Sequence, residues 1–335
     1  MKQRLAIILA PIILLASAVA VSLVGAVHIP AEALWTILKA KVCGHSVPEQ
    51  WQMYEITVWN LRFPRILLSM LAGGALAVCG AAFQSIFRNP VCDPYILGIS
   101  SGASLGAAFA IIVGLDAFMF GIPAAALVTA LLTLLLIFGI SLAGNRKSVE
   151  TILLVGIALN FLISAVVTLL MVLHQESLEQ IIFWTMGSFA SCSWLEVGGL
   201  AVMLLFCGFF LFFFAKNLNI MQLGDETAQT SGVNVKKTSY AVLIFASLLI
   251  AGTVATCGII GFVGLIIPHI VRLIFGNNNR TVFTFSLFFG AFFCLLADTL
   301  ARTVAIPAEL PVGSITAIVG APYFISLLLS QKSRK

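Results

Sequence analysis

Long unbroken apolar runs, each closely followed by another, constrain this chain more than any other feature of its sequence. A helix needs about 20 apolar residues to cross the hydrocarbon of a bilayer, at about 1.5 Å per residue. Ten such runs fall near 5–27, 63–83, 94–114, 118–142, 151–173, 194–215, 239–258, 260–276, 282–303 and 312–330. The eighth is the shortest and holds Pro268, His269 and Arg272 near its end. A spanning β-barrel would read instead as alternating segments of about ten residues. Ordinary soluble domains carry about 25% charged residues; with 9% charged and 61% hydrophobic, these 335 residues could not coat a water-facing surface of their own size. The sequence predicts an all-α polytopic membrane protein of about ten transmembrane helices, forming a single transmembrane domain over 1–335 with the lipid bilayer as its solvent.

The distribution of basic residues sets the orientation. With the N-terminus inside, one side receives Lys2, Arg4, Arg88, Arg146, Lys147, Lys216, Lys236, Lys237, Arg280, Lys332, Arg334 and Lys335, with Arg272 nearby. The other side receives Lys39 and Lys41, with Arg62, Arg65 and Arg302 at its boundary. Both termini are therefore expected in the cytoplasm, and the run 5–27 is too long for a cleaved signal segment. The tryptophans Trp35, Trp51, Trp59, Trp184 and Trp194 then fall on or near the outer side, as an interfacial residue would. The net charge of +5 is scattered in small groups, which excludes a nucleic-acid-binding face.

Two connections are long enough to hold structure. The outer loop 28–62 carries a short surface helix around Ala31–Ala40. The inner loop 216–238 (KNLNIMQLGDETAQTSGVNVKKT) has Asp225 and Glu226 before a helix-capable piece that Gly232 and Asn234 can end. A simple connection would be shorter, so the inner loop reads as a docking surface.

Within the spans, small residues crowd 72–82 (AGGALAVCGAA) and 98–108 (GISSGASLGAA). Such runs let helices approach closely in lipid, and their hydroxyl-bearing faces can also line a pathway. Pro268 frees a carbonyl that a neighbouring group must satisfy. His269 and Arg272 share a helical face and read as a structural or interface pair. Asp298, the one acid deep in a span, can reach Arg302 four residues on and reads chiefly as a structural bridge, with a transport role as the alternative. The seven cysteines show no metal-ligand spacing, and a bridge between Cys43 and Cys192 stays open.

Six stretches in register resemble the permeases of type II ABC importers, the FecCD-like family for cobalamin, haem and iron-siderophores. They are LRFPRILLSMLAGGALAVCGAAFQSIFRNPVCDPYILGISSGASLG (61–106), LLVGIAL (153–159), WTMGS (184–188), LGDETAQTSGVNV (223–235), GIIGFVGLIIPHIVRLIFG (258–276) and ADTLARTVAIPAELPVGSITAIVGAPYFISLLL (297–329).

The resemblance implies a homodimer in the bacterial inner membrane with the translocation path along its axis. Two ATP-binding cassette subunits, which bind ATP and Mg, would dock inside. A soluble or lipid-anchored substrate-binding protein would dock outside. No cofactor and no enzyme activity are expected of the chain itself, which has no GxxxxGK[ST] phosphate loop. By resemblance, Leu223, Gly224, Asp225, Glu226, Thr227, Ala228, Ser231, Gly232 and Val233 belong to the loop that couples to the ATPase. Arg62, Arg65 and Arg302 match the arginines that receive carboxylates of the binding protein. Asn89, Pro90, Val91, Ser148, Val149 and Glu150 fall in the cytoplasmic gate, helix 151–173 lines the path, and 178–189 forms a short re-entrant outer helix. Val149 and Glu150 depart in polarity from the small hydroxyl residues of the cobalamin permease gate, which counts against cobalamin as cargo.

Two other classes make different demands. An ion-driven secondary transporter calls for paired intramembrane acids or unwound midplane sites in repeated halves, and the sequence displays neither. A membrane-embedded enzyme calls for clustered ligands, whereas His28, His45, His174 and His269 lie far apart in the chain.

Overall fold

The structure, a computed structural model, describes residues 2–25, 27, 29–143 and 149–332. Fourteen α-helices follow one another among these residues: α1 Lys2–Leu23, α2 Ala31–Cys43, α3 Gln52–Glu55, α4 Phe63–Ile86, α5 Ile99–Ile112, α6 Gly121–Ala143, α7 Val149–Leu173, α8 Leu178–Thr185, α9 Trp194–Met221, α10 Asp225–Thr230, α11 Val235–Cys257, α12 Val263–Phe275, α13 Asn279–Ala301 and α14 Val312–Lys332. Seven helical stretches among the described residues are long and apolar enough to cross a membrane, and α5, α12 and the Val312–Ser326 part of α14 supply three shorter apolar stretches. All ten expected runs therefore appear as helices.

The three short helices share a physical cause. Each is preceded by non-helical backbone, whose freed groups lipid does not tolerate unless protein satisfies them. Before α5, the 3₁₀ turn Pro94–Leu97 is capped by the Asp93 carboxylate, which accepts from the Tyr95 N–H at 2.7 Å. Before α12, the break after Cys257 is held by Ser188 N–H donating to the Cys257 carbonyl at 2.9 Å and by Tyr95 Oη donating to the Ile260 carbonyl at 3.1 Å. Before α14, Val312 N–H donates to Gly187 and Gly313 N–H to Met186.

Helix α4 is the hub. Its span is 83% buried, and it packs against α13, α12, α11 and α9. Glycines make this possible: a Cβ on Gly80 would overlap the Gly264 carbonyl of α12, and one on Gly73 the Gly290 carbonyl of α13. The small-residue run 72–82 is therefore a close-packing surface. The outer faces of α1, α6, α7 and α9 are mostly exposed and apolar, as lipid or a second copy requires.

Two boundaries differ from the sequence reading. The outer stretch 28–62 is helical again from Glu49, and Ile56–Arg62 runs with a wider, π-type turn straight into α4. The inner loop shrinks to the connection between Met221 and Val235, because α9 continues past its apolar run. Its polar end is held by Asn219, whose Oδ1 accepts from the Asn279 N–H at 2.7 Å. Cys43 and Cys192 are both free thiols.

Below, the "lower" end of the bundle is the one carrying α10, and the "upper" end is the opposite one.

Candidate functional site

At the upper end, Arg62, Arg65 and Arg302 come together from α4, its lead-in and α13, each 6–8% exposed. Arg62 Nη1 donates to the Ser22 carbonyl at 2.7 Å and Nη2 to the Val27 carbonyl, while Arg302 Nη2 donates to the Val21 carbonyl at 2.9 Å. Val21 and Ser22 lie in the last turn of α1, whose carbonyls have no helical partners and favour a nearby cation. Arg65 Nε donates to both Asp298 oxygens at 2.9 and 3.1 Å, and Nη1 to both Glu309 oxygens at 2.9 Å. Arg302, the neighbour four residues along, stays 3.8 Å from Asp298. The dominant partner of Asp298 is thus Arg65, from a distant helix.

In this structure the three guanidinium groups are buried and engaged by oxygens of the chain itself. In apolar surroundings an unpaired guanidinium is costly, so internal oxygens take them up. Of the carboxylates, Glu309 is the accessible one, its side chain 46% exposed against none for Asp298. Sequence reading did not single out Glu309, although it lies inside the quoted 297–329 stretch.

Glu309 also lines an upper cavity of about 540 Å³ together with Asp116, Gln180, Ser188 and Thr256. A smaller recess of about 240 Å³ is faced by Ser100, Ser101 and Ser104 of α5 and by Asn160, Ser164 and Thr168 of α7. The hydroxyl-bearing face of 98–108 thus meets the polar face of the helix expected to line the path.

At the lower end, α10 forms a compact unit. Ala228 and Val233 are buried beneath it, Ala228 N–H donates to the Gly224 carbonyl at 3.0 Å, and Val233 N–H closes the turn on Ala228 at 2.9 Å. Gly224 and Gly232 take positive φ, +118° and +82°, where a side chain would be strained. Asn234 caps α11 by accepting from the Lys237 N–H at 3.0 Å. Leu223, Asp225, Glu226, Thr227 and Ser231 are exposed, with the apolar Leu223 at 72%.

The segment expected to gate the path begins where α4 ends. Arg88 occupies the left-handed region at φ +48°, and Asn89 N–H reaches back to the Gln84 carbonyl at 3.2 Å, a helix-ending turn that ordinarily uses glycine. The Arg88 guanidinium pairs with the Asp225 carboxylate at the start of α10. Asn89, Pro90 and Val91 are exposed, and the Asn89 side chain accepts from the Val91 N–H at 3.0 Å. Val149 and Glu150 open α7; Ser148 lies outside the described residues. Burial pushes the half-buried Asp93 carboxyl in this segment up to about 6, partly opposed by its bond from Tyr95.

Gln84 answers the proline in α12. Pro268 cannot donate to the Gly264 carbonyl, and Gln84 Nε2 lies 3.5 Å from that oxygen and 3.0 Å from the Leu265 carbonyl.

A profile of the FecCD transport family matches residues 6–330. The chain belongs to that family. It is 37% identical over 284 residues to the hemin transport system permease protein HmuU of Yersinia pestis, covering 83% of this chain and 85% of that one. It is likewise 37% identical over 299 residues to the cobalamin import system permease protein BtuC of Halobacterium salinarum, covering 89% and 79%. A transporter assigned to the metal-chelate ABC type, solved in an inward-facing conformation, superposes with a TM-score of 0.84 at 32% identity, covering 97% of this chain and 98% of that one. The chain is a membrane permease of an ABC importer.

Proposed function

We propose that this permease is half of a homodimer in the bacterial inner membrane, both termini cytoplasmic, that imports a metal chelate by alternating access. Two separate cassette subunits would bind and hydrolyse ATP with Mg at the lower end. A soluble or lipid-anchored binding protein would deliver cargo at the upper end. The observation that carries this reading is the folded α10 unit, with Leu223 exposed at its edge and Asp225 paired to Arg88. Movement of a docked ATPase would pull on α10, and the ion pair would pass that pull to Asn89, Pro90 and Val91 at the end of α4. At the upper end, docking through Arg65 requires Glu309 to give way, so the binding protein meets the cluster at its exposed carboxylate.

Iron-siderophore, haem and cobalamin all remain chelates of the right kind. The hemin and cobalamin permeases stand at equal identity to this chain, so identity does not choose between them. The recess on α5 and α7 is faced by hydroxyls and an amide, which suits a bulky, oxygen-rich cargo already selected by its binding protein.

The reading is tested in proteoliposomes holding the chain, its ATPase and its binding protein. Leu223→Asp is expected to abolish stimulated ATPase activity and uptake while leaving the purified chain folded. Uptake that persists without the ATPase would sink the proposal.

A further inference from the structure

The lower ends of α4 and α12 enclose a cavity of about 530 Å³ whose chemistry is unlike that of the rest of the molecule. Gln84, Ser85 and Arg88 reach it from the end of α4, His269 and Arg272 from α12, and Gln222 from the end of α9. Among the described residues, no aspartate or glutamate lines it, and the Arg272 guanidinium has neutral partners: the Ser85 hydroxyl at 2.8 Å, the Ala81 carbonyl at 3.2 Å and the Asn279 side-chain oxygen at 3.3 Å. Arg88 adds a second positive charge, shared with an exposed aspartate on α10.

Among the described residues, two buried polar atoms of the lining side chains have no partner. One is His269 Nε2. The other is the Oε1 of Gln84, a residue only 4% exposed whose amide is oriented by its bond to the Leu265 carbonyl. The cavity thus presents two guanidinium groups to an anion and one acceptor that needs a hydrogen donor. Beside it on α12, Leu273 and Ile274 are 66% and 60% exposed, an apolar surface at the lower end of the bundle. Basic pockets between membrane helices on the inner side suit acidic lipid headgroups.

We propose that this cavity holds the headgroup of an anionic glycerophospholipid bearing free hydroxyls, of the phosphatidylglycerol type. The phosphate diester sits between Arg272 and Arg88, a headgroup hydroxyl donates to Gln84 Oε1, and the acyl chains lie over Leu273 and Ile274. Because Arg88 also holds Asp225, a bound lipid would touch the same residue that links α10 to α4.

The experiment is native mass spectrometry and thermal unfolding of the full chain in mild detergent. Phosphatidylglycerol, phosphatidic acid, phosphatidylcholine or inorganic phosphate is added in separate arms. Wild type is expected to retain phosphatidylglycerol and to be stabilised by it, with little effect of phosphatidylcholine or phosphate. Arg272→Gln should weaken retention about five- to tenfold, as expected for one basic contact to an acidic headgroup. Since Arg272 also ties α12 to α4, Arg88→Gln provides a second variant at a more exposed position and should show a similar loss. Gln84→Met should erase the preference for phosphatidylglycerol over phosphatidic acid, a change that a packing role alone would not cause. Equal stabilisation by inorganic phosphate would assign the site to a free anion and overturn the lipid. Retention that neither arginine variant weakens would place the lipid elsewhere and overturn the site.

Discussion

At the upper end Arg62, Arg65 and Arg302 share two carboxylates and the last carbonyls of α1, whereas at the lower end Arg272 leans on a serine, an asparagine and a carbonyl. The two clusters lie on opposite sides of the same α4–α12–α13 packing, yet they are neutralised differently. The upper cluster is neutralised within the chain, although the buried Arg302 Nε is left with only a 3.8 Å ion-pair contact to Asp298, and it acts as a staple that fixes α1 to α4 and α13. The lower cluster is incomplete, with orphaned atoms and open space, and it borders the α10 unit. Charge neutralised within the chain marks a region built to hold, and charge with neutral partners beside open space marks one built to receive something.

The comparison can be broken at its strongest point first. Asp298→Asn leaves Arg65 and Arg302 without their buried counter-charge and is expected to cost about 3 kcal/mol, the low end for breaking a buried pair because Glu309 remains. Replacing the pair together, Arg65→Met with Asp298→Leu, should recover most of that loss in thermal unfolding. If the single variant is as stable as wild type, the upper cluster is not a staple.

Next in size is the packing that sets both clusters in place. Gly80→Ala puts a methyl group into the Gly264 carbonyl of α12 and is expected to destabilise by about 2 kcal/mol. The same methyl on Gly139, which meets nothing within 4 Å, should be harmless and serves as the control.

Arg88→Gly sharpens the lower half of the comparison. Glycine relieves the left-handed backbone, a gain of about 1 kcal/mol. It also removes the exposed pair to Asp225, which is worth less than about 1 kcal/mol to stability. A chain that is slightly more stable but couples ATP hydrolysis to uptake several-fold less well would show that the strain serves function.

The last effect is one of pH. Burial raises the Asp93 carboxyl to about 6, so the folded state takes up a proton before the unfolded chain, whose carboxyl titrates near 3.9, does. The stabilisation is full below about pH 4 and is lost as pH rises through about 6. Asp93→Asn should flatten that slope in a thermal-unfolding series while leaving the slope outside that window unchanged.

Much of this architecture was legible in the sequence. Hydropathy alone located ten helices, because lipid demands about 20 apolar residues per crossing. The turn in LGDETAQTSGVNV was legible because acids open the short helix and glycines close it. The breaks before α5, α12 and α14 were hidden, since their backbone groups are satisfied by partners remote in sequence such as Ser188 and Tyr95. The upper cluster was half legible: the three arginines and the Asp298–Arg302 pair were found, but Glu309 and the closer partner of Asp298, Arg65, were not, since helix spacing reveals only neighbours within a turn. His269 and Arg272 were seen to share a face, whereas the cavity they line needed Gln84, Ser85 and Arg88 from another helix.

The central claim is that α10 transmits the work of a separate ATPase to this permease. The most direct measurement is uptake of a metal chelate into proteoliposomes containing the chain with its ATPase and binding protein, comparing wild type with Leu223→Asp. The account predicts uptake that requires ATP in wild type and disappears in the variant, with no response to an ion gradient. Uptake driven by an ion gradient without the ATPase, or unchanged in the variant, would contradict it.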